Sequence, residues 1–141
     1  MGRWTLSGSN TTLRSIGAVV AGILVGIALS LGADAIMRAI GYLPPIDQPA
    51  PSGPLVVATI YRSVFGVISA YVTARLAPDR PMRHALILGT LGLIVSILGA
   101  VFTWNRGPEF GPHWYPVVLI VLALPTAWLG GKLVELKAAN R

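Results

Sequence analysis

Four long apolar runs alternate with shorter polar or proline-rich segments along this chain. The runs lie at about residues 15–40, 55–76, 82–104 and 116–136, and each has about the 20 residues that a helix needs to cross a bilayer. Prolines cannot donate a helical hydrogen bond, and they interrupt the chain after Gly41 and after Leu76. The pattern therefore predicts an all-α membrane protein, with residues 1–141 forming one four-transmembrane-helix bundle.

The first run carries a small or polar residue at every fourth position, so these residues share one helical face. They are Ala18, Gly22, Gly26, Ser30, Asp34 and Arg38. Small residues let helices approach closely, and such packing drives helix association in lipid. The second run repeats the spacing at Arg62, Gly66, Ala70 and Ala74. The helix-packing contacts expected of an antiparallel hairpin are Gly66 with Ser30, Ala70 with Gly26, and Ala74 with Gly22.

The same pairing brings Arg62 towards Asp34 at membrane depth. An ionisable side chain there costs at least about 2.5 kcal/mol, so it tends to be paired or functional. One interpretation is a proton- or ion-responsive site, and the other is an interhelical clamp that fixes the register of the two helices. Two competing pairings stay open, because Ser30 could bind Arg62 and Arg38 lies one helical turn from Asp34.

The composition supports a membrane protein and narrows its chemistry. Of the 141 residues, 54% are hydrophobic and 11% are charged, whereas about 25% of a soluble domain is charged. The absence of cysteine excludes disulfides and thiolate chemistry. The sequence contains no nucleophile elbow, metalloprotease motif or phosphate-binding glycine loop. We therefore expect no enzyme activity, no cofactor and no metal site.

The basic residues predict the orientation of the bundle. Most lie before the first run, between the second and third runs, or near the end of the chain: Arg3, Arg14, Arg75, Arg80, Arg83, Lys132, Lys137 and Arg141. Cytoplasmic segments are rich in Lys and Arg, so both termini are predicted to be cytoplasmic. The formal charge of +6 does not indicate nucleic-acid binding, because these residues lie at the ends of the runs and form no single patch.

Two features near the N-terminus bear on where the first helix begins and on whether the first run is a cleaved signal or a transmembrane helix. The polar segment 1–12 ends in a Ser/Asn/Thr cluster that predicts an N-cap for the first helix. The sequence Ala33-Asp34-Ala35 has the form of a signal-peptidase site, although the preceding apolar run is longer than a usual signal core.

The segment between the third and fourth runs is a candidate outer-loop surface. Its residues are Trp104, Arg106, Glu109, His113, Trp114 and Tyr115. Aromatic rings favour the headgroup region, so one interpretation is an interfacial aromatic belt and the other is a binding or metal site. Too few ligands are present for a metal signature, and Gly111-Pro112 separates Glu109 from His113. On the inner side, His84 is predicted to be a solvated residue at a helix start.

Residues 71–85, from Tyr71 to Ala85, and residues 103–108, Thr103-Trp104-Asn105-Arg106-Gly107-Pro108, resemble segments of small bacterial inner-membrane proteins with four hydrophobic segments and uncharacterised roles. The resemblance implies a multi-pass protein of the bacterial inner membrane, with the lipid bilayer as its surroundings, and no particular activity.

Two functional hypotheses follow. The first is a packing or accessory component that forms a homo-oligomer or joins a larger membrane complex. The second is a small ion or solute transporter or channel that uses Asp34 and Arg62. A water-filled cavity that reaches Asp34 would favour the second hypothesis, and a dry, closed contact would favour the first.

Overall fold

Each apolar run of the sequence folds as one long α-helix. The computed structural model describes residues 2–141, and their side chains from Asn10 onwards apart from Glu109. The helices of these residues are α1 (Gly2–Ala39), α2 (Ser52–Leu76), α3 (Pro81–Thr103) and α4 (Trp114–Ala139), and a 3-10 turn spans Pro108–Phe110. All four helices are long and apolar enough to cross a membrane. The predicted all-α architecture with four transmembrane helices is thus confirmed.

The first helix begins earlier than expected. α1 starts at Gly2, so the expected N-cap cluster lies inside the helix and the prediction that it begins near residue 15 was wrong. No proline precedes Pro44, and polar side chains alone do not end a helix. The part of α1 that could span a membrane is Asn10–Ala39. Its 30 residues extend about 45 Å, which exceeds a hydrocarbon core of about 30 Å.

Glycine and proline set the inner boundaries of the helices. Gly41 ends α1 with a φ of 81°, while its amide bonds to the Arg38 carbonyl and the Tyr42 amide to the Met37 carbonyl. These two bonds form a Schellman motif, in which glycine adopts the left-handed conformation at little cost. α2 ends at Leu76 because Ala77 precedes a proline and is extended.

The helices pack unequally around α2. α2 contacts all three other helices, α4 packs against α2 and α3, and α1 lies mainly on α2. A buried cluster of alanines occupies the contact between α2, α3 and α4: Ala70, Ala74, Ala85 and Ala127. We call the end that carries Arg14, Arg75 and Lys137 the basic end. The opposite end, with the connections 40–51 and 104–113, is the loop end.

Candidate intramembrane binding site

The small face of α1 packs against α2 about one residue away from the expected register. A Cβ added to Gly22 would lie 2.8 Å from the carbonyl oxygen of Ser69 and would overlap Thr73. A Cβ on Gly26 would lie 2.6 Å from the Ser69 hydroxyl. The expected contacts of Gly22 with Ala74 and of Gly26 with Ala70 are therefore wrong.

The small face of α2 is turned towards α4 instead of α1. A Cβ on Gly66 would lie 3.1 Å from the Thr126 hydroxyl, and a Cβ on Gly130 would lie 2.6 Å from the Cβ of Ala70. Gly66 therefore does not pair with Ser30 as expected. α1 uses the neighbouring face of α2, where the buried hydroxyl of Thr73 donates a 3.1 Å hydrogen bond to the carbonyl of Ala18. A threonine is small enough for close packing and also binds the facing backbone.

A histidine joins α1 to α3 at the basic end. His84 is only 6% exposed, so the prediction that it is a solvated residue was wrong. Its Nδ1 lies 3.1 Å from the carbonyl of Arg80, and its Nε2 lies 2.9 Å from the Ser15 hydroxyl. Because a carbonyl can only accept, the proton is assigned to Nδ1, and Nε2 accepts from Ser15. This contact holds the basic end together.

Towards the middle of the bundle the helices line an open cavity of about 410 Å³. All four helices contribute to its wall, and many of the wall residues are small. The small wall residues are Gly22, Gly26, Ser30, Ser63, Gly66, Ser69, Gly89, Gly92, Ser96, Ala123, Thr126 and Ala127. Apart from the adjoining turn of its own helix, no atom of the described residues lies within 4 Å of a Cβ added to Gly92. The glycine and serine positions predicted to bring helices together thus partly line open space.

Three of the five hydroxyl groups in the cavity wall bond to a carbonyl of their own helix, and most of the other wall residues are apolar. The hydroxyl of Ser63 donates to the Thr59 carbonyl at 2.7 Å, and that of Ser69 donates to the carbonyl of Phe65 at 2.8 Å. Thr126 likewise bonds one turn back. A water molecule needs about two to four polar partners to occupy a cavity. The wall therefore suits an apolar molecule better than water.

The cavity opens sideways between α1 and α3. Ile27 of α1 and Leu91 and Val95 of α3 line it and are also exposed on the outer surface of the bundle. The mouth of the cavity is therefore bordered by an apolar outer surface, of a kind suited to contact with hydrocarbon.

Towards the loop end, Arg62 lines the cavity and forms an ion pair with Asp34. Nη2 of Arg62 donates to one carboxylate oxygen of Asp34, and the hydroxyl of Tyr61 donates to the other. The carboxylate is thus held by two donors from α2, and the structure pairs Arg62 with Asp34 and not with Ser30. The Asp34 side chain is 18% exposed and that of Arg62 is 33% exposed.

Some guanidinium atoms at this end have no acceptor. Among the side chains that the structure describes, the buried polar atoms without a hydrogen-bond partner are Nε and Nη1 of Arg38 and Nε of Arg62. The phenol of Tyr115, at the start of α4, lies near Arg38, Arg62 and Asp34. We call Asp34, Arg38, Tyr61, Arg62 and Tyr115 the arginine cluster.

The residues of the candidate outer-loop surface do not form one site: most belong to the loop itself, whereas Tyr115 faces the arginine cluster. His113 stacks on Trp104 with ring centroids 4.1 Å apart, and its Nε2 lies 2.7 Å from the carbonyl of Trp104, which closes the loop. The indole of Trp114 donates to Ser52 at 3.4 Å. Arg106 is exposed, whereas Tyr115 belongs to the arginine cluster. The role predicted for Glu109 concerns a side chain that is not among those the structure describes. Among the described side chains, no three His, Asp or Glu residues form a group that could hold a metal ion.

Sequence reasoning missed the cavity and Tyr61, and it assigned Tyr115 to the outer-loop surface instead of the arginine cluster. The available signal was that small residues occur at similar depth in all four runs, including Gly92 and Ser96 of the third. No protein-family model, curated protein or solved structure matches the chain. Its function is therefore inferred from the geometry of the cavity and the arginine cluster.

Proposed function

We propose that this protein is a non-enzymatic, lipid-binding component of the membrane, which holds the apolar chain of an amphiphile in the cavity. The observation that carries the proposal is the cavity itself, about 410 Å³ in volume and open sideways to the lipid-facing surface. Hydrocarbon is its natural occupant, since water would find few hydrogen-bond partners on this wall. Ligand pockets usually measure about 300–1,000 Å³ and are mostly apolar, as this one is.

An accessory role within a membrane complex, or self-association, belongs to the same proposal. Apart from the adjoining turns of their own helices, no atom of the described residues lies within 4 Å of a Cβ added to Gly17, Gly32 or Gly99. Such exposed small positions let a helix of another chain approach closely. A binding protein of this size would act by presenting or retaining a lipid for that partner.

We place the protein in the bacterial inner membrane with both termini in the cytoplasm. The resemblance of its loop segments supports the compartment, and the basic residues at one end support the orientation. Reporter fusions after Arg80 and after Arg141 should behave as cytoplasmic, and fusions near Ala50 as external. An external fusion after Arg80 would contradict this orientation.

A small transporter is the second candidate, favoured by the position of Arg62 in the cavity wall. The contacts at the basic end oppose a transport path, because Gly22 packs on Thr73 and Ser15 binds His84 there. Transport would require these contacts to separate. The chain has no cysteine, so a Ser15→Cys/His84→Cys pair joined by a short bifunctional reagent tests the point. Lipid binding that survives the cross-link supports a binding protein, and loss of binding supports a moving helix pair.

A cavity-filling substitution tests the proposed function directly. Gly92→Leu places a side chain in the cavity without a steric clash, because the space around Gly92 is open. Gly99→Leu is the matched control, since Gly99 lies on the same helix with open space around it but outside the cavity wall. Each variant is reconstituted in phospholipid nanodiscs and released for native mass spectrometry.

The parent protein and Gly99→Leu should retain a bound lipid, and Gly92→Leu should lose it while remaining helical by circular dichroism. Ser96→Leu, one helical turn further along α3 in the same wall, should behave as Gly92→Leu does. Equal lipid retention by all four proteins, or no retention by the parent, would overturn the proposal.

A further inference from the structure

The arginine cluster holds more hydrogen-bond donors than the chain supplies acceptors. Arg62 gives one nitrogen to Asp34, yet its Nε remains buried and unpartnered among the described residues. The same is true of Nε and Nη1 of Arg38. A buried donor without an acceptor is costly, so most native examples are explained by a water, an ion or a ligand. These donors point to an acceptor from outside the chain.

The charge of the cluster indicates which acceptor fits. Arg62 pairs with Asp34, whereas Nε and Nη1 of Arg38 have no acceptor among the described residues, so the cluster carries a formal excess of one positive charge. The oxygens of Asp34 are already engaged by Tyr61 and Arg62. The planar fork of arginine binds phosphate through paired hydrogen bonds, and such charge-assisted bonds are strong where water is scarce. A phosphate-bearing anion is therefore complementary to the cluster.

The position of the cluster connects this anion to the cavity. Arg62 belongs both to the cluster and to the cavity wall, so a group bound there lies at the loop end of the cavity. Asp34 lies five residues before the end of α1 at Ala39, which corresponds to about 8 Å along the helix axis from its loop end. Phosphates of bilayer lipids lie at the boundary between hydrocarbon and water. A lipid could thus place its phosphate at the cluster and an acyl chain in the cavity.

We propose that the occupant of the cavity is an anionic phospholipid of the bilayer, with its phosphate bound by Arg38 and Arg62. This inference rests on the proposed function and adds the class of headgroup. A zwitterionic lipid is disfavoured, because its ammonium group would bring a second positive charge to a site with an excess of positive charge. The protein therefore selects phosphatidylglycerol over phosphatidylcholine with the same acyl chains.

The test uses nanodiscs that contain equal amounts of phosphatidylglycerol and phosphatidylcholine with identical acyl chains. Native mass spectrometry then identifies the lipid that stays bound to the released full-length protein. We expect the parent to be enriched at least about fivefold in phosphatidylglycerol. A fivefold ratio corresponds to a free-energy difference of about 1 kcal/mol, which is the interaction energy of two unit charges about 4 Å apart in water. Arg38→Gln should abolish the enrichment, and Arg106→Gln should preserve it.

Arg38 is the informative residue because Arg62 also holds Asp34, and its removal would disturb the helix contact. Arg106 is the matched control, since it is an exposed arginine at the same end of the bundle. Arg38→Lys provides a second variant if the glutamine substitution prevents folding. It keeps the charge without the guanidinium fork, so it should retain only part of the enrichment.

The outcomes separate this inference from the proposed function. A lipid that is retained by the parent and lost in Gly92→Leu, but without headgroup preference, would overturn the inference and leave the proposed function standing. Equal enrichment in Arg38→Gln and the parent would do the same. Displacement of the preference by millimolar inorganic phosphate would show a site for free anions and would also overturn the inference. If the parent retained no lipid at all, the proposed function itself would fail.

Discussion

The two ends of this bundle use similar residues to opposite effect. At the basic end, Gly22 and Gly130 bring helices into direct contact. Towards the middle of the bundle, on the loop side of Gly22, the residues Gly26, Ser30 and Gly92 help to line a cavity, and Gly22 lies at its edge. The difference depends on the neighbouring residues, because a glycine forms a helix contact only where atoms of the facing helix occupy the space left by its missing side chain. Where all four helices present small residues at one depth, no side chain fills the centre.

The forces that hold α1 also differ between the ends. At the basic end α1 is held by close packing and by the hydrogen bonds of Thr73 and His84. At the loop end it is held through Asp34, which binds Tyr61 and Arg62. α1 is therefore attached by packing and neutral hydrogen bonds at one end and by a charged carboxylate at the other.

The largest effect is expected where a glycine faces backbone. A Cβ on Gly130 would lie 2.6 Å from the Val67 carbonyl oxygen and 2.8 Å from the Tyr71 amide, and neither atom can rotate away. Gly130→Leu should therefore force α2 and α4 apart, at a cost of about 3 kcal/mol, the upper range for overpacked cores. Thermal unfolding in mild detergent measures this loss. Gly99→Leu, with open space around it, should leave stability nearly unchanged, and equal losses would contradict the contact.

The next effect concerns the charge pair at the loop end. Asp34→Ala leaves Arg62 and Tyr61 without their shared acceptor, so it should cost about 2 kcal/mol, less than a fully buried pair because both side chains are partly exposed. Arg62→Ala should cost less, since the carboxylate can take up a proton and keep Tyr61 as a partner. A double-mutant cycle isolates the coupling, which should be about 1 kcal/mol, as for other polar pairs in membranes. Strictly additive losses would show that the pair contributes no stability of its own.

The sequence was sufficient to predict the helices and the approach of Asp34 to Arg62. Long apolar runs leave the backbone no alternative to helix in lipid, and a buried charge requires a counter-charge. The start of α1 was not predictable from its polar segment, because polar side chains permit both a cap and a continuing helix. Without a proline, the polar segment therefore did not show where the helix begins.

The helix register and the cavity required three-dimensional information. Ala70 and Ser69 are both small, so spacing alone could not show that α1 packs on Ser69 and Thr73 while Ala70 packs on Gly130. The cavity depends on four helices at once, whereas a residue pattern describes one face at a time. Tyr61 was missed and Tyr115 was assigned to the outer-loop surface because an aromatic residue in an apolar run equally indicates packing or a headgroup position.

A smaller effect should locate the boundary between contact and cavity within α1. Gly22→Ala meets the Ser69 carbonyl and the buried Thr73 hydroxyl, so we expect a loss of about 1–2 kcal/mol. At Gly26 an added Cβ meets the hydroxyl of Ser69, which can rotate, and Gly26→Ala should cost less than about 1 kcal/mol. Both are compared by thermal unfolding. A larger loss at Gly26 would mean that the helices meet nearer the loop end than the structure places them.

The smallest effect tests whether the hydrogen bond at the basic end adds to the close packing there. Thr73→Val keeps the branched shape of the side chain, which is fully buried, and removes only the hydroxyl that donates to Ala18. Polar contacts between membrane helices average about 0.6 kcal/mol, so the loss of stability should be near that value. Thr90→Val is the matched control, because the exposed Thr90 hydroxyl bonds only to Leu86 in its own helix. Equal stability of the two variants would show that packing of Gly22 against α2 suffices to hold α1. A loss confined to Thr73→Val would show that the hydroxyl contributes to the contact between α1 and α2, beyond the packing of small residues.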